Sequence, residues 1–179
     1  MNMQKQPTWK LTMDDDLAHR SSEIHWPDGF SPETAEIFSH TEILVHAPCE
    51  KIWQHLLEVT KWPEWYPDAK DVRLIENDGT ILKKGTTFQW TTFGLALESK
   101  VDEFVPSSRV GWFAYAPGSE PNFYHTWYVV PQEDGSCLVI TEEVGKGGDA
   151  TYMRQTDEGL MHRGHEMWLA ALKWVSEDK

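Results

Sequence analysis

The apolar positions of this chain follow two spacings, and the change from one to the other sets out the elements. Thr41–His46 (TEILVH) is a short β-rich run that Pro48 closes. From Ala47 the spacing turns helical: Ile52, Trp53, Leu56 and Leu57 make one stripe, and Glu50, Lys51, Gln54 and Glu58 are left for water. Pro48 suits the first helical position, where its missing N–H costs nothing. Trp62-Pro63-Glu64-Trp65-Tyr66-Pro67 then packs three aromatics between two prolines. That space is too short for a long helix, and it predicts a helical turn or lid over something apolar.

After Pro67 strand signals run for roughly 75 residues, over Lys70–Glu76, Thr86–Thr92, Ala96–Val105, Arg109–Tyr115, Phe123–Pro131 and Cys137–Val144. Asn77-Asp78-Gly79, Phe93-Gly94, Pro106-Ser107-Ser108, Pro117-Gly118-Ser119 and Glu133-Asp134-Gly135 separate them with turn chemistry. Connections this short make an antiparallel meander, since parallel neighbours need crossovers of about a dozen residues. Gly145-Lys146-Gly147-Gly148 ends the last strand in a loop. Tyr152–Glu177 then has no proline and one apolar face (Leu160, Gly164, Met167, Trp168, Ala171, Leu172, Val175). This predicts a single helix about 35–40 Å long, enough to cross a sheet.

The first 39 residues follow neither spacing. They are polar, broken by Pro7, Pro27 and Pro32, and carry Asp14-Asp15-Asp16 with isolated Trp9, Trp26 and Phe30. They read as an arm that crosses the surface and is pinned by those aromatics. Within it Ser31-Pro32-Glu33 is a sound helix start, which predicts one short helix ending near His40. The expected division is an arm over residues 1–39 and one domain over 40–179. Its order, strand, two short helices, six antiparallel strands and long C-terminal helix, predicts an α+β fold. A curved antiparallel sheet of seven strands wraps the long helix, and a curled sheet gripping one helix leaves a space between them.

Composition narrows the partners. With 179 residues the chain is large enough for one domain with a real core. Ten tryptophans are too many for a small solid core alone, which brings a lined cavity into consideration. The net charge of −13, from 16 Lys and Arg against 29 Asp and Glu, excludes nucleic acid and anionic membrane surfaces as expected partners and reads as a solvated acidic surface. The two cysteines, Cys49 and Cys137, stand far apart without metal-ligand spacing. A reduced, intracellular protein is expected, with a single disulfide left open. The N-terminus lacks an apolar h-region and no run of ~18 apolar residues occurs, so the expected location is the cytoplasm, with no membrane span.

Several local patterns carry a family resemblance. They are Ala47-Pro48 followed by Ile52-Trp53; Trp62-Pro63-Glu64-Trp65; Lys84-Gly85-Thr86 with Phe88 and Trp90; Val101 to Pro106 with Arg109 and Trp112; and His125-Thr126-Trp127 before Asp134-Gly135-Ser136. Over about three quarters of its length, Thr41 to Glu177, the chain resembles the helix-grip (SRPBCC) superfamily. That superfamily includes START domains, birch-pollen-allergen-like proteins and the polyketide cyclase/dehydrase branch. The resemblance implies a helix-grip fold that binds hydrophobic small molecules between sheet and helix, with cyclisation or dehydration there in a minority of members. It brings no fixed catalytic signature.

Alternation along the strands selects an inward set: Phe88 and Trp90, Leu97, Ser99 and Val101, Val110 and Trp112, and Phe123, His125, Trp127 and Val129. Each alone reads equally well as plain core; together they favour a lined pocket. The ligand-binding candidates are Trp65, Phe88, Trp90, Leu97, Ser99, Trp112, Phe123, His125, Trp127, Met153 and Leu160. His125 is the one catalytic candidate, as an anchor for a carbonyl or a general base, against the commoner reading of a hydrogen-bonded structural histidine. One of Glu142 and Glu143 is expected to face inward, and near His125 it would complete an acid/base pair; alternation does not say which. Glu98 and Lys100 read as surface residues. His162, His165 and Glu166 resemble ligand spacing but lack the zincin order and an evident third ligand, so no metal site is expected. No cofactor is expected either. The glycine loop reads as a hinge at a cavity mouth, with Tyr152 and Met153 on one lip and Trp62–Tyr66 on the other.

These readings converge on binding, or transport, of a hydrophobic or aromatic small molecule. The two alternatives are a cyclase or dehydratase using the same cavity and an interaction module like the Hsp90 activators, which calls for a filled interior. Oligomeric state is left open.

Overall fold

In the computed structural model, which describes residues 12–77 and 79–178, the first element lies within the arm. Helix α1 (Met13–His19) starts at a capping box in which Thr12 and Asp15 satisfy each other's backbone N–H. The sequence pattern marks no helix there, only the later one after Ser31. The helix forms because Met13 and Leu17 bury against Phe30, Phe38, Tyr124 and Val144 on the outer face of the sheet. Trp26 stands edge-on to Phe38 and Tyr124, and Phe30 packs on Phe113 at 5.5 Å, so two of the three expected pins hold the arm down. Trp9 lies outside the described residues.

The helix expected from Ser31 to His40 is a single 3-10 turn, Pro32–Thr34. Ser31 caps it as read, but Ala35 is already extended and the Glu36 N–H donates to the Gly145 carbonyl. Sheet pairing overrides the local helix signal, and strand β1 begins at Ile37 and runs to Val45. Helix α2 (Cys49–Leu57) follows, with Pro48 extended just before the first helical residue rather than in it. After a 3-10 turn, α3 (Trp62–Trp65) is the expected helical turn between the prolines.

The six further strands are β2 (Lys70–Leu74), β3 (Thr87–Thr92), β4 (Leu95–Val105), β5 (Arg109–Tyr115), β6 (Phe123–Pro131) and β7 (Cys137–Gly145). With β1 they form one antiparallel seven-stranded sheet in the order β1-β7-β6-β5-β4-β3-β2. The meander is therefore as expected, with β1 closing onto β7.

The single helix expected over Tyr152–Glu177 is two: α4 (Gly148–Asp157) and α5 (Leu160–Glu177), broken at Glu158-Gly159. A helical glycine costs about 1 kcal/mol relative to alanine, and turning there lets Ala150 pack on Ile37 and Met161. With 18 residues α5 spans about 27 Å. Its buried face is Met161, His162, Gly164, His165, Trp168, Leu169, Leu172 and Ser176, rotated from the expected stripe so that Met167 is exposed.

The inner face of the sheet packs α2, α3 and α5 around an aromatic centre. Trp62 touches the rings of Phe88, Trp90, Trp112 and Trp168 at 5.0–5.8 Å. Each such pair contributes about 0.5–1.5 kcal/mol beyond its area. The expectation of reduced cysteines is overturned: Cys49 and Cys137 form a disulfide, Cα to Cα 5.1 Å. Pairing of β1 with β7 sets Val45 opposite Cys137, and α2 begins four residues later, so Cys49 turns back over its partner. The bond also removes one support for a cytoplasmic location. Among the described residues no helix is long and apolar enough to cross a membrane.

Candidate functional site

Strand register builds a row across the inner face in which Ser39, Glu143, His125 and Trp112 are successive partners on β1, β7, β6 and β5. A parallel row carries Ala114 and Phe123. Above them α5 brings Met161, His165 and Trp168. Between the sheet, α4 and the first turns of α5 lies a cavity of about 490 Å³, large enough for a drug-sized molecule. Trp90, Leu97, Trp112, Phe123 and Trp168 supply its apolar wall.

At the mouth is the β3–β4 hairpin, whose two turn residues, Phe93 and Gly94, both have positive φ (49° and 74°). Such a turn matches the strand twist. For a phenylalanine the conformation is strained, and strain of this kind persists where the surroundings hold it. Here the ring lies on Gly164 of α5, where a Cβ would stand 2.7 Å from Phe93 Cζ. The hairpin tip thus closes down on the helix because the helix has a glycine beneath it. Phe93, Leu95 and Tyr152 are exposed large apolar residues around this opening.

The polar end is a cluster of three side chains. His165 Nε2 lies 2.8 Å from Glu143 Oε2, and His125 Nδ1 lies 3.6 Å from the same oxygen. The two imidazoles stack at 4.4 Å. His165 Nδ1 meets the Ser39 hydroxyl at 2.9 Å. His125 Nε2 meets Thr141 Oγ1 at 2.7 Å, and that hydroxyl donates its proton to the Thr126 carbonyl at 2.9 Å. Thr141 can then only accept from His125, so Nε2 carries the hydrogen and Nδ1 presents a lone pair. Burial, and after it the charge of His165, holds the His125 pKa well below the usual histidine value. The imidazole is neutral at pH 7.

The profile of the family described as polyketide cyclase/dehydrase and lipid transport matches residues 38–167. The chain belongs to that family. Its fold is the helix grip of the wider SRPBCC superfamily. Hypothetical protein jhp0584 from Helicobacter pylori is 26% identical over 88% of this chain and 98% of its own, with a TM-score of 0.80. Zhui aromatase/cyclase from Streptomyces sp. R1128 is 15% identical over 78% of this chain and 94% of its own, TM-score 0.60. Ara h 8.0201 is 13% identical over 79% and 98%, TM-score 0.59. The last two share the fold alone. No curated relative matches the sequence.

In this polyketide cyclase/dehydrase-family chain, the cavity collects Trp90, Leu97, Trp112, Phe123, His125, Met153 and Leu160 of the residues selected from sequence. The other four stand apart from its wall. Phe88 and Trp127 are fully buried in the aromatic centre, Trp65 lies beside His55 and Tyr66, and the Ser99 hydroxyl accepts from Trp90 Nε1 at 3.2 Å. The inward parity holds for these strand residues; what differs is position along the strand. Glu143 is the inward glutamate. Glu142 is the more deeply buried of the two, on the outer face, where the Ser21 N–H of the arm donates to it and His40 Nδ1 lies 2.8 Å away.

The helix trio divides. His162 contacts Asp16 of α1 and Glu166, while His165 turns into the cavity. Tyr66, Phe93, Trp168 and His165 line the cavity without having been selected. Trp168 and His165 were legible as one helix face with Met161, at i, i+4 and i+7. Tyr66 lies flat on Trp168, ring centroids 4.8 Å apart and planes 3° from parallel.

Proposed function

We propose that the protein binds a hydrophobic, aromatic small molecule in the cavity between sheet and α5, with a polar end of that molecule at His125, Glu143 and His165. The observation that carries the reading is the lining: an aromatic wall about 490 Å³ around, with one buried polar cluster on it. Family membership and the likeness to a helix-grip fold support it. Apolar burial supplies most of the affinity, at about 25 cal/mol per Å² before the costs of association. Carriage of a lipid-like molecule is the transport form of the same reading. A surface-interaction role, which called for a filled interior, draws no support from an open one.

The test is native mass spectrometry beside a denatured control, on the wild type and on Ala114→Phe. Ala114 lies on the cavity wall between Ser99 and Phe123. The expected result is a bound mass, or uptake of a fluorescent fatty acid, that Ala114→Phe abolishes without lowering the melting temperature. Equal uptake by the stable variant overturns the reading.

A second reading, a cyclase or dehydratase, is favoured by a specific observation: a neutral imidazole, His125, within 3.6 Å of the Glu143–His165 pair. A base and an acid on one wall are what removal of water from an aromatic precursor needs. An aromatase/cyclase shares the fold. Loss of 18 Da from a polyketone substrate, suppressed by His125→Gln, is the expected outcome; dehydration that survives the variant overturns the assignment.

A further inference from the structure

His125 on β6, Glu143 on β7 and His165 on α5 each offer one ligand-type atom, and those atoms all lie within 4.8 Å of one another. We propose that these three side chains form a site for one divalent transition-metal ion of the zinc class, with a coordination position left open to the cavity.

The spacing fits such an ion. Zinc bonds of about 2.0–2.2 Å in a tetrahedron place ligand atoms about 3.3 Å from each other. The contacts of Glu143 Oε2 with His165 Nε2 and His125 Nδ1, at 2.8 and 3.6 Å, lie on either side of that separation. Two imidazoles and a carboxylate suit the borderline metals and disfavour magnesium and calcium, which prefer all-oxygen sites.

The unliganded cluster is also incompletely paired. Thr141 fixes the hydrogen of His125 on Nε2, so the Nδ1 lone pair faces the Glu143 carboxylate, acceptor against acceptor. A cation between them turns that opposition into attraction.

Both distal nitrogens already have partners of the sort that orient metal-bound histidines. His125 Nε2 is held by Thr141, and His165 Nδ1 by the Ser39 hydroxyl. On metal binding His165 changes tautomer: its one ring hydrogen moves from Nε2 to Nδ1 by exchange with solvent, and Nδ1–H then donates to Ser39, whose hydroxyl rotates to accept. The ligands neutralise one unit of the ion's charge, so the open position favours an anionic or carbonyl oxygen. That last step rests on the reading of the cavity as a ligand site; the metal site does not.

Another histidine–carboxylate group, His162 with Asp16 and Glu166, offers a single imidazole whose two nitrogens are both engaged, and it serves as the control. The test strips the full-length protein with a chelator and titrates it with Zn²⁺ in competition with a chromophoric chelator, then with Co²⁺ followed by visible absorption. The expected result is one ion per chain and an intense, low-coordinate cobalt spectrum. Glu143→Gln should weaken binding by about 100-fold or more, and Ser39→Ala, which keeps all three ligands, by about 10–100-fold. His162→Gln should leave it unchanged. Melting curves show whether each variant is folded. No uptake by the wild type, or wild-type affinity in folded Glu143→Gln, overturns the proposal. Ala114→Phe keeps the three ligands, so metal uptake by it together with loss of the hydrophobic probe separates this site from the cavity reading.

Discussion

Reducing the Cys49–Cys137 bond, or replacing both residues by alanine, should cost the fold about 4–5 kcal/mol. The bond joins residues separated by 88 positions. Loop-closure entropy for a ring of that size gives about 4.6 kcal/mol at 25 °C. Unfolding entropy is about 2.1 cal/mol/K per residue, or about 0.38 kcal/mol/K for the whole 179-residue chain, so the melting temperature should fall by about 12 °C. Both sulfurs lie at the main core, where α2 meets β7, so reduction also frees the first turn of α2 from the sheet. The assay is calorimetry of one preparation before and after a phosphine reductant, with intact mass reading the 2 Da change. A fall of less than about 3 °C in protein whose mass proves complete reduction would refute the loop-entropy argument. Free thiols in the native, unreduced protein would refute the bond itself. A large fall carries a further consequence, because a protein this dependent on its disulfide belongs in an oxidising compartment.

Two other outcomes follow from the site and its surroundings. Gly164→Ala puts a methyl group 2.7 Å from Phe93 Cζ and should lift the hairpin tip from α5. Stopped-flow displacement of a bound fluorescent probe should then run several-fold faster, with little change in melting temperature because alanine favours the helix by about 1 kcal/mol; an unchanged rate removes Phe93 as a gate. Four histidines shape the pH profile of stability, His55 among them because burial lowers its pKa. Burial depresses His40, but the bond to Glu142 and the charges of Glu142, Glu42 and Asp16 outweigh it, and the bond to Asp16 raises His162 against its burial. Their folded pKa values exceed the unfolded value of about 6.5, so their contribution is full below that pH and is lost as pH rises through the folded values. His125, depressed by burial and then by His165, acts in the other direction, its contribution being lost as pH falls below about 6.5. Urea unfolding should therefore give greatest stability near pH 6–7, and His40→Gln/His162→Gln should lose the alkaline decline while keeping the acid one. An alkaline decline of wild-type size in the double variant sinks the pairing argument.

The sheet was legible because its signals are local. Turn residues and alternation need only neighbours in sequence, and they gave every strand after Pro67 and the inward parity of Phe88, Trp90, Trp112 and His125. Alternation tells which face a residue takes but not how far along the strand the cavity extends, so Phe88 and Trp127 were grouped with Trp90 and Trp112 although they lie in the packed half. The features that escaped depend on register between distant segments. The disulfide follows from the pairing of β1 with β7, and β1 itself was read four residues short because its start pairs where a helix signal stands. Alternation left Glu142 and Glu143 equal candidates for the interior, and nothing local says that the arm covers the outer face and buries Glu142 there. His165 was weighed with its helix neighbours, yet the groups it meets, Ser39 and Glu143, come from two strands.

The joint between the packed half of the interior and the open half has an optical consequence. Trp62, Trp90, Trp112, Trp127 and Trp168 form a connected group whose neighbouring rings stand 4.9–6.5 Å apart. Indoles this close exchange excitation faster than they emit. Three of them, Trp90, Trp112 and Trp168, face the cavity. A guest that quenches any one of the three therefore dims the whole group, including rings it never touches, while the exposed Trp174 contributes a steady red-shifted background. The molecule reports on its own occupancy, and its blue emission alone can follow filling and emptying without a label.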